Sequence, residues 1–383
     1  MRKSQEENEK IIVLDNKKYF IEPETGELIE ILSDKSSTGK ERPWRERKIE
    51  NQTVEECYKR LAISSSEREY WNKRANRLHN CGVHLCFNVY SDGNGGEMMK
   101  VKHAESCRVR LCPLCTWRRS IKIQAHTRKI LESMQAEKEY EYILVTLTVP
   151  NVTGSELSDK ISDMMRAWNI FNKYNRFTKA VKGWYRGLEI THNLQKYKFK
   201  YIKKDGKKQR VTLVDDNGKP IPNPFYDTYH PHFHCIFAVN PSYFNDRTYI
   251  KRDEWLAMWQ KAMKDPTITQ VDVRKVKPKN GANTSDIVGA VCEVAKYTVK
   301  SGDYVLPWDW DMSCKSVEVL DKALANRRLV AFGGVMKDWH KKLNLDDEID
   351  GNLIEDSETP NGEVIREVCA FWNVGYQQYL IMD

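Results

Sequence analysis

The 383 residues are 40% hydrophobic and 30% charged, enough apolar content for two or three compact units and too much for a chain disordered throughout. No apolar run approaches the roughly 18–20 residues of a membrane span, and Met1-Arg2-Lys3-Ser4-Gln5-Glu6-Glu7 lacks the apolar core of a signal peptide, so a cytoplasmic chain is expected. The formal charge of +8 is unevenly spread: Asp346 to Glu358 holds seven acidic residues and no Lys or Arg, which leaves a basic body suited to a polyanion, nucleic acid first.

Residues 1–52 read as a polar, basic N-terminal arm with one strand-like run, Ile11-Ile12-Val13-Leu14, and a basic stretch from Lys40 to Lys48 around Trp44. Residues 53–135 form a second segment. It is helical over 53–79 with alternating charges, cysteine-rich over 81–115, and helical again from Thr116-Trp117-Arg118-Arg119, where Arg118 and Arg119 are candidate DNA contacts. Residues 136–305 follow a different pattern. Ile143 to Val149 is β-rich and stops at Pro150; residues 155–180 carry Leu157, Ile161, Met164, Met165, Trp168 and Phe171 at helical spacing; residues 183–192 return to strand.

Phe199 to Val214 predicts a β-hairpin turning at Asp205-Gly206, with eight Lys or Arg against one Asp over 196–210. Lys203, Lys204, Lys207 and Lys208 at its tip are candidate phosphate contacts. A strand over 232–239, a helix over 251–264, a strand near 270–276 and a helix over about 285–300 complete the unit. The order strand–helix–strand–strand–helix–strand predicts a split βαβ, ferredoxin-like α+β unit with an antiparallel central sheet. Residues 306–383 read as a mostly helical C-terminal region with the acidic segment inside it.

Ten cysteines in a cytoplasmic chain are not expected to form disulfides. Four stand at metal-ligand spacing, Cys81-x25-Cys107-x4-Cys112-x2-Cys115, and the short Cys112–Cys115 turn can aim two thiolates at one structural Zn²⁺. Cys86 or His84 are alternatives to Cys81 as the distal ligand; the remaining cysteines read as buried thiols. His103-Ala104-Glu105 supplies half of a zinc deaminase signature, but it lies only a few residues from the cysteine pair and the proline falls inside that pair, which argues against deamination.

In Tyr229-His230-Pro231-His232-Phe233-His234, strand alternation puts His232 and His234 on one face and Phe233 on the other. Glu189, between Leu188 and Ile190 on the preceding strand, alternates onto a polar face as well. Two imidazoles and a carboxylate suit Mg²⁺ or Mn²⁺ acting on a phosphodiester. His230 is a further candidate ligand. Downstream, Glu293 and Tyr297 stand four apart on a predicted helix, where a tyrosine can attack phosphorus and a carboxylate can act as general base; Lys296 and Lys300 can offset phosphate charge.

Taken with Cys107-Arg108-Val109-Arg110-Leu111-Cys112-Pro113-Leu114-Cys115, Leu144 to Thr148, Gly187 to Thr191 and Arg327-Arg328-Leu329-Val330-Ala331-Phe332-Gly333-Gly334, these segments resemble the rolling-circle replication initiators of small Gram-positive plasmids, within the HUH endonuclease superfamily. The resemblance runs from about residue 40 to the C-terminus. It implies that 136–305 is an HUH nuclease domain, with His232 and His234 as metal ligands and Glu189 as the acidic third. It further implies Tyr297 as the nucleophile at the double-strand origin and Glu293 as the activator of water in the terminating cleavage. Plasmid origin DNA, a host helicase and a host DNA polymerase are the implied partners, and a homodimer is compatible with it. The alternatives are an HUH relaxase or transposase, or a zinc-containing DNA-binding regulator without catalysis.

Overall fold

The computed structural model describes residues 11–14, 17–91, 97–204, 206–276, 288–289, 291, 304–306, 308–346, 353–354 and 362–382. The chain divides into two compact units, residues 1–125 with 350–383 and residues 126–349.

The first unit begins with β1 (Ile11–Leu14), β2 (Lys17–Ile21) and β3 (Leu28–Glu30), an antiparallel three-stranded sheet. The expected arm is therefore folded here. Phe20 and Ile31 are buried with Leu380, and Ile11, Ile29 and Tyr376 pack around them. These apolar residues are spaced singly along very short strands, so their surroundings read as polar. Gly26, at φ +70°, supplies the turn from β2 to β3. Two helices follow, α1 (Trp44–Ser64) and α2 (Arg68–Asn80). They bury Val54, Cys57, Tyr58 and Leu61 from one and Trp71, Ala75 and Leu78 from the other, the three- and four-residue spacing of a helix face. Next come β4 (His84–Ser91), β5 (Glu97–Ala104) and α3 (Pro113–Glu137), which opens on a proline that needs no N–H in the first turn. The division between the units falls within α3.

The second unit contains β6 (Glu141–Thr148), α4 (Leu157–Phe171), α5 (Asn175–Ala180), β7 (Val181–Asn193), β8 (Phe199–Lys204), β9 (Lys207–Thr212), β10 (Thr228–Val239), α6 (Arg252–Met263), β11 (Val271–Lys275), α7 (Trp310–Leu324), β12 (Val330–Gly334) and α8 (Val335–Lys342). Its main sheet runs β11-β6-β10-β7-β12, with every neighbouring pair antiparallel. Thus β6 and β7, linked through helices, run parallel with β10 between them, and β10 and β11 run parallel with β6 between them. Phe233 and Phe237 of β10 pack with Trp168 of α4, and Phe237 with Phe177 of α5 and Trp255 of α6, at ring-centroid distances of 5.2–6.3 Å. That aromatic layer fixes one face of β10, so the alternate residues, His232 and His234 among them, occupy the other.

The chain then returns to the first unit with β13 (Val364–Asn373) and β14 (Gln378–Met382), completing a sheet of order β14-β13-β4-β5. The expected helical C-terminal region is thereby corrected: it holds helices α7 and α8 but also strands β12, β13 and β14. In β13 the buried Val368, Ala370 and Trp372 alternate with more exposed neighbours, a period of two. Cys86 and Cys369, cross-strand partners in β4 and β13, are joined by a disulfide, contrary to the expectation of free thiols. Nothing in the local sequence of either cysteine marks the other, 283 residues away. Among the described residues the molecule is an α+β protein with eight α-helices and antiparallel sheets; the helix expected over about 285–300 lies almost wholly outside them.

Candidate metal centre

In the central sheet His232 stands directly opposite Glu189 of β7 and Thr148 of β6, and His234 opposite Gly187 and Thr146. The Glu189 carboxylate oxygen lies 2.7 Å from His234 Nε2 and 3.5 Å from His232 Nε2, and the two Nε2 atoms are 3.1 Å apart. These separations bracket the edge of about 3 Å between neighbouring ligands of an octahedral ion with bonds of about 2.1 Å. The His232 Nδ1–H donates to the His230 carbonyl at 3.1 Å, which leaves Nε2 with its lone pair for a cation. His234 Nδ1 meets Thr146 Oγ1 at 3.3 Å. Burial would raise the Glu189 carboxyl, but the two imidazoles beside it outweigh that and hold its pKa at about 2. The donor set therefore fits a divalent cation. His230 is not in this three-residue group; its ring stacks on His232, centroids 5.1 Å apart.

A second polar cluster sits where β7 ends and β10 begins. Asp227, at φ +56° just before β10, accepts from His192 Nε2 at 3.0 Å and from Lys315 Nζ of α7, and Ser316 Oγ lies 2.9 Å from His192 Nδ1. The His192 ring stacks on Tyr229 at 4.1 Å. Burial lowers the His192 pKa more than Asp227 raises it, while Lys315 and His192 together overcome the burial that would raise Asp227. Sequence reasoning missed this cluster. Lys315 is 88 residues from Asp227, and no local pattern links them.

In the first unit the sulfurs of Cys81, Cys107, Cys112 and Cys115 all lie within 4.8 Å of one another and all four residues are buried. Cys81 Sγ is 3.5 Å from Cys112 and 3.6 Å from Cys115, and Cys107 Sγ is 3.7 Å from Cys115. A tetrahedral zinc with Zn–S bonds of about 2.3 Å needs edges of about 3.8 Å. Backbone N–H groups of Arg108 and Cys107 donate to Cys115 and Cys81 sulfurs at 3.3 and 3.4 Å, and Asn51 Nδ2 donates to Cys112 Sγ at 3.2 Å. Such donors favour thiolates. The four cysteines can hold a structural zinc, and Cys81 is the distal member of the group. Cys86 is committed to its disulfide, and His84 lies beside it.

Arg118 and Arg119, expected as DNA contacts, are instead 4% and 2% exposed. Arg118 donates to the carbonyls of Leu353 and Ile354 at 2.8 Å, and Arg119 to that of Arg108 at 3.0 Å. Their guanidinium groups satisfy loop carbonyls of their own unit, and a basic helical run gives no sign of that use. By contrast Lys203, Lys204, Lys207 and Lys208 are exposed on the β8–β9 hairpin. Glu293, Lys296, Tyr297 and Lys300 lie outside the described residues.

The family model Rep_1, described as replication protein, matches residues 98–380. A "Protein rep" of Bacillus amyloliquefaciens is 36% identical over 366 residues, covering 92% of this chain and 97% of the relative. One from Lentilactobacillus hilgardii is 33% identical with 92% and 98% covered, and one from Lactiplantibacillus plantarum is 33% identical with 92% and 100% covered. No solved structure matches significantly.

Proposed function

This chain belongs to the Rep_1 family of replication proteins, and from that premise we propose that it starts rolling-circle replication of a plasmid by nicking one strand of the double-strand origin. The observation that carries the reading is the convergence of Glu189, His232 and His234 on one face of the central sheet. The interleaved order of β11, β6, β10 and β7 supports a ferredoxin-like HUH nuclease unit. Mg²⁺ or Mn²⁺ bound by the three side chains supplies Lewis acidity to a scissile phosphate.

Tyr297 is the nucleophile of this reading. Its phenolic oxygen bonds to phosphorus while the bond from phosphorus to the 3′ oxygen breaks; the phenolic proton ends, net, on the departing 3′ oxygen. The products are a 5′-phosphotyrosine link and a free 3′-OH from which a host DNA polymerase extends, with a host helicase opening the duplex. Glu293 takes the proton from water in the terminating cleavage. Lys296 and Lys300 balance phosphate charge, the hairpin lysines hold flanking DNA, and the four-cysteine cluster holds a structural Zn²⁺. The protein acts in the cytoplasm, where its plasmid lies, as a monomer or a homodimer.

The test is cleavage of a labelled single-stranded origin oligonucleotide with Mn²⁺, comparing the parent with Tyr297→Phe. A covalent protein–DNA band from the parent alone is expected. DNA binding with no adduct from either protein would instead favour a zinc-containing regulator, and an adduct from both would remove Tyr297 from its role.

A further inference from the structure

The first unit gathers two more cysteines and two histidines on one face of a sheet, apart from both sites described above. Cys86 on β4 pairs across the sheet with His103 on β5 and with Cys369 on β13. Cross-strand partners point the same way, so this row presents three side chains together. His84 stands two residues before Cys86 and so shares its face. Its Nε2 is 3.1 Å from Cys86 Sγ, and its ring centroid is 5.8 Å from that of His103. Phe371 stacks on His84 at 4.4 Å and holds the ring over the row. His84, Cys86 and Cys369 bring their ligand atoms within 4.8 Å of one another.

With the disulfide formed, neither sulfur carries the charge that makes a thiolate a good ligand. We propose that Cys86, Cys369 and His84 form a second zinc site, with His103, the cross-strand partner of Cys86, swinging in as the fourth donor, closed by the Cys86–Cys369 disulfide and opened by its reduction. A dithiol reductant supplies two electrons and two protons, breaking the sulfur–sulfur bond to give two thiols while the reductant becomes a disulfide. Zn²⁺ then displaces both thiol protons and takes two neutral imidazoles, a Cys₂His₂ set. Cys369 is only half-buried, so a reductant reaches the bond. Soft and borderline donors favour zinc over Mg²⁺ or Mn²⁺, which keeps this site chemically distinct from the Glu189 centre. The switch also changes what is clamped: the disulfide ties β4 to β13, whereas the zinc form ties β5 to both.

The experiment loads the full chain with Zn²⁺ alone, with and without a phosphine reductant, removes free metal, and counts zinc per chain by elemental analysis. Reduced parent protein is expected to hold one ion more than oxidised parent, and one more than Cys86→Ser/Cys369→Ser in either state. Loading with Co²⁺ should give reduced parent about 1.5-fold the thiolate-to-metal absorption of that variant, six thiolates against four. His84→Ala/His103→Ala leaves the disulfide able to form and should also lose the additional ion, which keeps the test decisive if the cysteine variant folds poorly. Equal zinc content in reduced parent and either variant would overturn the proposal.

Discussion

Glu189 and His232 face each other across the β7–β10 pair, carboxylate oxygen 3.5 Å from imidazole nitrogen, and His234 reaches the same oxygen at 2.7 Å. Among these three donors Glu189 alone brings negative charge. Removing an outer partner of a metal ligand costs about 10–100-fold in affinity, so neutralising a ligand should cost at least about 100-fold. Glu189→Gln is therefore expected to need far higher Mn²⁺ for binding and for DNA cleavage, while its circular dichroism matches the parent. Unchanged Mn²⁺ affinity would remove Glu189 from the site.

The Asp227 cluster predicts an acid-sensitive brace at the ends of β7 and β10, the strands that carry Glu189, His232 and His234. A carboxyl held below its unfolded value stabilises the fold above that value and loses the contribution as pH falls through its folded pKa. His192, whose pKa is lowered by burial, acts in the same sense, because acidification must charge it. Asp227→Asn should cost about 1–2 kcal/mol at neutral pH, and its deficit against the parent should close below about pH 4. Urea unfolding at pH 7 and pH 3 reads this; a deficit that is the same at both would show that the charge is not the source.

Gly334 ends β12 at φ +54°, and a Cβ there would sit 2.2 Å from the Lys182 carbonyl oxygen of β7. Neither the backbone angle nor the contact has room for a side chain. Gly334→Ala should destabilise the second unit by about 2–4 kcal/mol, read as a lowered thermal midpoint. A variant as stable as the parent would mean that β12 does not seat against β7 in this way.

What the sequence disclosed follows from periodicity. His232 and His234 could be paired, and Glu189 set on a polar face, because strand alternation is a local rule that needs only neighbours. The grouping of Cys107, Cys112 and Cys115 was legible because its spacing is equally local. Arg118 and Arg119 misled because a guanidinium near a chain carbonyl and one near a phosphate look alike in sequence; burial alone separates them. β13 and its bond to β4 were hidden because pairing over nearly the whole chain leaves no local mark. The arm was misjudged because its strands of three to five residues are too short to show a period.

The four-cysteine cluster predicts a metal dependence confined to the first unit. Removing one ligand leaves three buried sulfurs around an incomplete site, and metal-binding free energy is then lost from folding. Cys112→Ser should lose one tightly held zinc and at least about 3 kcal/mol of stability, seen by elemental analysis and calorimetry. Retained zinc with an unshifted transition would assign the cluster to buried free thiols.

The β8–β9 hairpin offers the cleanest electrostatic test. Lys203, Lys204, Lys207 and Lys208 are exposed at its tip, and Lys208 and Arg210 lie 4.3 and 4.5 Å over the rings of Tyr201 and Phe199, which stiffens the basic surface. If each lysine neutralises one phosphate, binding releases a counterion for each, and the slope of log K against log salt changes by about 0.9 per contact. Replacing all four with Gln should flatten that slope by about 3–4 on origin duplex. Cleavage of a short single-stranded oligonucleotide at saturating protein should stay near the parent rate, since these residues supply none of the metal ligands. A flattened slope with normal cleavage would make the hairpin a DNA grip separate from the cutting site. An unchanged slope would leave its charge without a role in DNA binding.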